Sequence, residues 1–121
     1  MSNDKLSATG ANIDDARAVA DFRVKLWADI LNERGNQIVA HGAHPDYPHG
    51  CEPKHAERLA KLCRTRNDEQ ENWTDLHLEE LWEGLAEPDT HEGRANRYHE
   101  FVQAMSLLMQ HLELDFLKDR T

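Results

Sequence analysis

The segment His77–Asp89, HLEELWEGLAEPD, decides how this chain is read. At about 100° per residue, Glu79, Glu80, Glu83 and Glu87 share one arc, and Leu78, Leu81, Trp82 and Leu85 share the opposite one. Such a division of apolar from charged residues is helical periodicity. Pro88 cannot continue the helix, so one is predicted from near Asn72 or Thr74 to a point before Pro88. Like charges one turn apart cost ~0.2–0.5 kcal/mol per pair. The ordinary account of a charged stripe is a solvated face, but here the segment supplies no lysine or arginine to relieve the repulsion.

The crowding is wider than this helix. From Asn67 to Gly93 there are ten acids and no Lys or Arg, whereas the other 94 residues carry 13 acids and 14 bases. The net charge of −9 therefore sits in one segment. A basic footprint for phosphate backbones is absent, which excludes nucleic acid as the expected partner and points to a cation. With 121 residues and 39% apolar residues, one helical domain over residues 11–121 is expected, after a disordered polar tail over residues 1–10. The longest uncharged run, Phe101–Leu112, is too short for a membrane span. Cys51 and Cys63 make no disulfide framework and read as free thiols, so a soluble, cytoplasmic protein is expected.

Outward from the acidic helix, Ile13, Ala16, Ala20, Val24, Trp27 and Ile30/Leu31 recur at helical spacing. They predict a first helix from an N-cap at Asn12 to Arg34, with Gly35 as its stop. Ala40–Pro53, AHGAHPDYPHGCEP, holds three prolines and two glycines and reads as a long loop. Ala56, Leu59, Ala60 and Cys63 predict a second helix over Lys54 to about Asn67. The last helix carries Tyr98, Phe101, Val102, Met105, Leu108, Met109, Leu112 and Phe116 as its apolar stripe, with Leu107 and Leu114 across from it. A helix apolar on two sides in so small a chain predicts association through helical faces, as a homodimer or homotetramer. The fold class expected is all-α, a bundle of four helices.

On this last helix Glu100 and Gln103, in RYHEFVQAM, lie one turn apart on the side away from Phe101, Met105 and Met109. Mg²⁺ is held by a few carboxylates, waters and substrate phosphates, and two helices offering carboxyl oxygens one turn apart build such a site.

These residues resemble the MazG-like all-α nucleoside triphosphate pyrophosphohydrolases. That family's signature, Glu-Glu-x-x-Glu on one helix and Glu-x-x-Asp on the next, is similar to Glu79-Glu80-x-x-Glu83, then sixteen residues, then Glu100-x-x-Gln103. The run from Asn72, with its Trp-Thr opening, and the loop AHPDYPHG look like a subgroup that has Glu-x-x-Gln in the second half. The likeness spans roughly Ala11–Arg120 and is specific in helices three and four. It implies a MazG-like four-helix bundle and cleavage of a nucleoside triphosphate between its α and β phosphates, with Mg²⁺ or Mn²⁺ as cofactor. On it, Glu80, Glu83 and Glu100 are implied metal ligands, and Glu79 a ligand or the base that orients the attacking water. Glu79, Glu80 and Glu83 are thus the implied catalytic residues. Gln103 departs from the pattern: its amide can ligate Mg²⁺ but brings no charge. The alternative that follows is a non-catalytic nucleotide-binding or protein-interaction module on the same fold.

Arg94 and Arg97, about two turns and one turn before Glu100, are candidates to hold phosphates, and an Arg97–Glu100 pair at i,i+3 is the competing reading. His41, His44, His49, Cys51 and His55 invite zinc, but their spacings match no zinc motif. Trp27 and Trp82 sit on apolar stripes and read as core, and Cys63 as a packed thiol.

Overall fold

The computed structural model describes residues 10–120, so the expected tail over residues 1–10 lies outside the described residues apart from Gly10. Four helices and no strand occur among them: α1 Gly10–His41, α2 Pro53–Glu69, α3 Trp73–Leu85 and α4 His91–Asp119. The all-α expectation holds. No helix among the described residues is long and apolar enough to cross a membrane.

α1 corrects the sequence reading at both ends. It begins at Gly10 rather than after Asn12, and it runs through Gly35 to His41. A glycine inside a helix costs only about 1 kcal/mol, so Gly35 is tolerated without ending it. The stop is Gly42, whose φ of 87° is the left-handed conformation of a helix cap. Its amide closes the last turn onto the Ile38 carbonyl at 2.9 Å. Residues 42–52 then form the expected irregular loop.

α2 begins at Pro53, one residue before the expected Lys54 and inside the stretch read as loop, and runs on to Glu69. Pro53 stands in the first turn of α2, where the missing amide hydrogen leaves no bond unmade. Asn72 caps α3: its side-chain oxygen accepts the Asp75 amide at 2.8 Å and its side-chain nitrogen donates to the Asp75 carboxylate at 2.8 Å. Thr90 caps α4 through its hydroxyl, which accepts the Gly93 amide at 3.0 Å. α3 ends at Leu85, ahead of Pro88 as expected.

The chain divides into two compact units, one running to Tyr47 and resuming at Glu113, the other spanning Pro48–Leu112. In the first, the end of α4 lies on α1. Phe22 stacks on Phe116 with ring centroids 4.7 Å apart, and Arg23 grips Glu113 through Nε at 2.6 Å and Nη2 at 3.1 Å. Arg120 pairs with Asp15 at 3.2 Å.

In the second unit α2 packs on α3 through small side chains. Ala56, Ala60 and Cys63 are its buried apolar residues, and their size lets α3 come close. Asp75 is buried against the same seam at 2% exposure, with Arg66 at 3.7 Å; burial and then the Asp75 charge raise the Cys63 thiol above its usual range. α3 and α4 meet at Gly84, where a Cβ would run into the Phe101 ring.

The apolar stripe of α4 is not the core that its pattern predicts. Phe101 and Met109 are half-buried, but Tyr98 is 74% exposed, and Val102, Met105, Leu108 and Leu112 are exposed as well. Trp27 on α1 is likewise 50% exposed rather than buried, whereas Trp82 is half-buried. A 3.6-residue periodicity identifies a face able to be covered and does not say what covers it.

Candidate metal site

α3 rises from its Asn72 cap carrying Glu80 and Glu83, and α4 brings Glu100 to them. Glu80, Glu83 and Glu100 each place one carboxylate oxygen within 4.8 Å of the other two. Among the described residues this is the one group of three or more His, Cys, Asp or Glu side chains near enough to share a cation. The His-rich loop assembles no such group; His41 and His44 line an open concavity of about 670 Å³ beside Arg34 and Tyr47.

The three carboxylates are half-buried, and their chemistry shows it. Glu80 is pushed up to about 7, first by burial and then by the charges of Glu83, Glu100 and Glu79. Glu100 is also raised, by burial and by Glu83. One oxygen of Glu80, Oε2, is buried and accepts no hydrogen bond. A buried carboxylate oxygen without a donor is costly unless a proton or a metal cation meets it.

The counter-charge that the sequence lacks within the acidic segment comes from another helix. Arg64 of α2 donates through Nε to Glu79 at 2.9 Å and through Nη2 to Glu83 at 2.9 Å. Its guanidinium spans two carboxylates one turn apart on α3, a geometry suited to a planar fork. Glu79 thereby sits outside the three-carboxylate group, held by an arginine. Glu87 is also elsewhere, accepting from Asn96 at 3.2 Å.

The remaining candidates have other partners. Gln103 is exposed and its amide nitrogen lies 3.4 Å from His99 Nε2. Arg94 pairs with Asp89 at 3.0 Å. Arg97 donates to the carbonyls of Gly84 at 3.3 Å and Glu87 at 3.0 Å, closing the C-terminal end of α3 rather than pairing with Glu100.

Besides Arg64, sequence reasoning missed a ring cluster at the start of α3. His77 Nε2 is 2.9 Å from His111 Nδ1, and Trp73 stacks on His111 at 4.2 Å and 7°. Burial and then the His111 charge hold the His77 imidazole below its usual range. The only sequence signal was a histidine and a tryptophan four residues apart on one helix, which says nothing about residue 111. Comparison with protein-family models, with curated proteins and with solved structures finds no match to this chain.

Proposed function

We propose that Glu80, Glu83 and Glu100 bind Mg²⁺ or Mn²⁺ and that the chain uses it to hydrolyse a nucleoside triphosphate to monophosphate and pyrophosphate. The observation that carries the reading is the group of three half-buried carboxylates with one oxygen, Glu80 Oε2, left without a donor. A set of oxygen ligands at this density suits a hard divalent cation. The choice of reaction rests on the MazG-like arrangement of Glu79-Glu80-x-x-Glu83 and Glu100 along the sequence.

When bound, the cation supplies charge neutralisation on the phosphates and acidifies a bound water. Glu80, Glu83 and Glu100 hold it, and Glu80 gives up its proton as it does so. Glu79, fixed by Arg64, is the carboxylate left to orient the attacking water and take its proton. Attack forms a bond from the water oxygen to the α phosphorus and breaks the bond to the bridging oxygen toward the β phosphate. Pyrophosphate leaves with that oxygen.

A homodimer or homotetramer goes with this reading, because Tyr98, Val102, Met105, Leu108 and Leu112 recur at three- and four-residue steps on an exposed side of α4. A cytoplasmic setting goes with it too. The second reading, a nucleotide-binding or protein-interaction module without turnover, is favoured by Gln103 and by the engagement of Arg94 with Asp89 and of Arg97 with the Gly84 and Glu87 carbonyls.

The test is a thermal-shift panel of nucleotides with and without Mg²⁺, paired with a pyrophosphate assay. Ligand at about a hundred times its Kd adds roughly 2.7 kcal/mol of stability. Pyrophosphate release supports the hydrolase, nucleotide binding without release supports the nucleotide-binding module, and no shift with metal or nucleotide refutes both of these and leaves the protein-interaction module.

A further inference from the structure

Trp73, His77 and His111 form a layer of three nearly parallel, half-buried rings where α4 meets the start of α3. Trp73 lies 4.2 Å from the His111 ring at 7° and 5.5 Å from the His77 ring at 17°, which fixes the plane of both imidazoles. His77 Nε2 and His111 Nδ1 are 2.9 Å apart and share one hydrogen. The other nitrogen of His77, Nδ1, is buried and has no partner. Were His111 the donor, the hydrogen of neutral His77 would stand on that Nδ1 as a buried N–H without an acceptor, an arrangement folded proteins avoid. With His77 as donor, the buried nitrogen is bare. His77 therefore donates through Nε2, and His111 accepts at Nδ1 while carrying its own hydrogen on Nε2.

We propose that this pair is an acid-sensitive clasp between α3 and α4, opened when His111 takes a proton at Nδ1. That proton removes the only acceptor of the bond and sets N–H against N–H. No Asp or Glu among the described residues forms an ion pair with either imidazole, and the charge of His111 is the one that acts on the His77 ring. No counter-charge therefore holds the protonated pair together. The other attachments of α4 to α3 are of a different kind. Phe101 lies against Gly84, and Arg97 donates to the Gly84 and Glu87 carbonyls. None of these groups changes its protonation on the acid side of neutrality. Acid thus releases α4 at His111 and leaves it attached at Phe101. The clasp does not depend on the cation reading of the three carboxylates.

Nuclear magnetic resonance of the full chain, isotope-labelled at the histidine nitrogens, reads the hydrogens directly. At neutral pH we expect His77 protonated at Nε2 and bare at Nδ1, with His111 bare at Nδ1. As the pH falls toward about 5, His111 should gain its second hydrogen while the bond to His77 is lost. Amide hydrogen exchange supplies the local readout. The rate near His111 divided by the rate near Phe101 cancels the pH dependence of the exchange chemistry itself. For one proton that ratio should rise by up to about tenfold per pH unit, and His111→Gln should hold it flat. A hydrogen found on His77 Nδ1, a bond that persists with His111 doubly protonated, or a ratio that rises equally in His111→Gln overturns the clasp.

Discussion

His77 and His111, 34 residues apart in sequence, share a hydrogen bond of 2.9 Å between Nε2 and Nδ1 under the ring of Trp73. One of the two nitrogens must carry a hydrogen and the other must not, so the pair is satisfied with at least one imidazole neutral. The folded state holds His77 below its unfolded value of 6.5, so unfolding takes up protons as the pH falls past that value. Stability is therefore present above about pH 6.5 and lost below it, by no more than about 1.4 kcal/mol per pH unit for one proton. Melting temperatures taken from about pH 5 upward should decline on the acid side, and His77→Gln should flatten that decline. An equal slope in both proteins would remove the pair as its cause.

Glu80 acts on the other side of neutrality. Its folded value of about 7 stands above the ordinary 4.5, so the folded chain holds a proton there that the unfolded chain has released. That contribution is complete below about pH 4.5 and is lost as the pH rises through about 7. In metal-free buffer near pH 8, Glu80→Gln should melt higher than wild type. Added Mg²⁺ should raise the wild type and move the mutant less. Equal responses to Mg²⁺ would mean that Glu80 is no ligand.

Two glycines should respond in opposite directions to alanine. A Cβ at Gly35 would meet nothing within 4 Å, so Gly35→Ala should stabilise α1 by about 0.5–1 kcal/mol. A Cβ at Gly93 would run into the Pro88 carbonyl oxygen, which is backbone and cannot step aside cheaply. Gly93→Ala should cost about 1–3 kcal/mol, the range of overpacked sites. Denaturant melts of the two variants read both signs.

On the hydrolase reading, Glu83→Ala should abolish pyrophosphate release, since it removes one of the three carboxylates whose oxygens lie within 4.8 Å of one another. Gln103→Asp adds a charge one turn from Glu100 and should tighten Mg²⁺ binding. The assay is pyrophosphate production across natural and modified nucleoside triphosphates, with Mg²⁺ titration of each variant. Full activity in Glu83→Ala would place the chemistry elsewhere.

The exposed side of α4 should be covered in solution. Light scattering at micromolar concentration should give a mass above the 14.0 kDa of one chain, and Met105→Glu should bring it down toward that value. A monomer in the wild type would leave the α4 stripe without a partner subunit.

The amino-acid sequence by itself determined what depends on neighbours a turn away. Helical character, the start of α3 near Asn72, the end of α3 before Pro88 and the division of α3 into leucine and glutamate faces are short-range consequences of side-chain size, hydrogen bonding and period. So is the concentration of acid between Asn67 and Gly93. Even locally a glycine is ambiguous: Gly35 and Gly42 offer the same freedom, and only the second lies where the chain leaves the helix. What the tertiary structure alone decided are meetings between helices. The approach of Glu100 to Glu80, the neutralisation of Glu79 and Glu83 by Arg64, the proton held by Glu80 near neutrality and the His77–His111 bond all require distances that residue spacing does not encode. They arise where small residues, Ala56, Ala60 and Cys63 on α2 and Gly84 on α3, let backbones approach and take charged groups part of the way out of water.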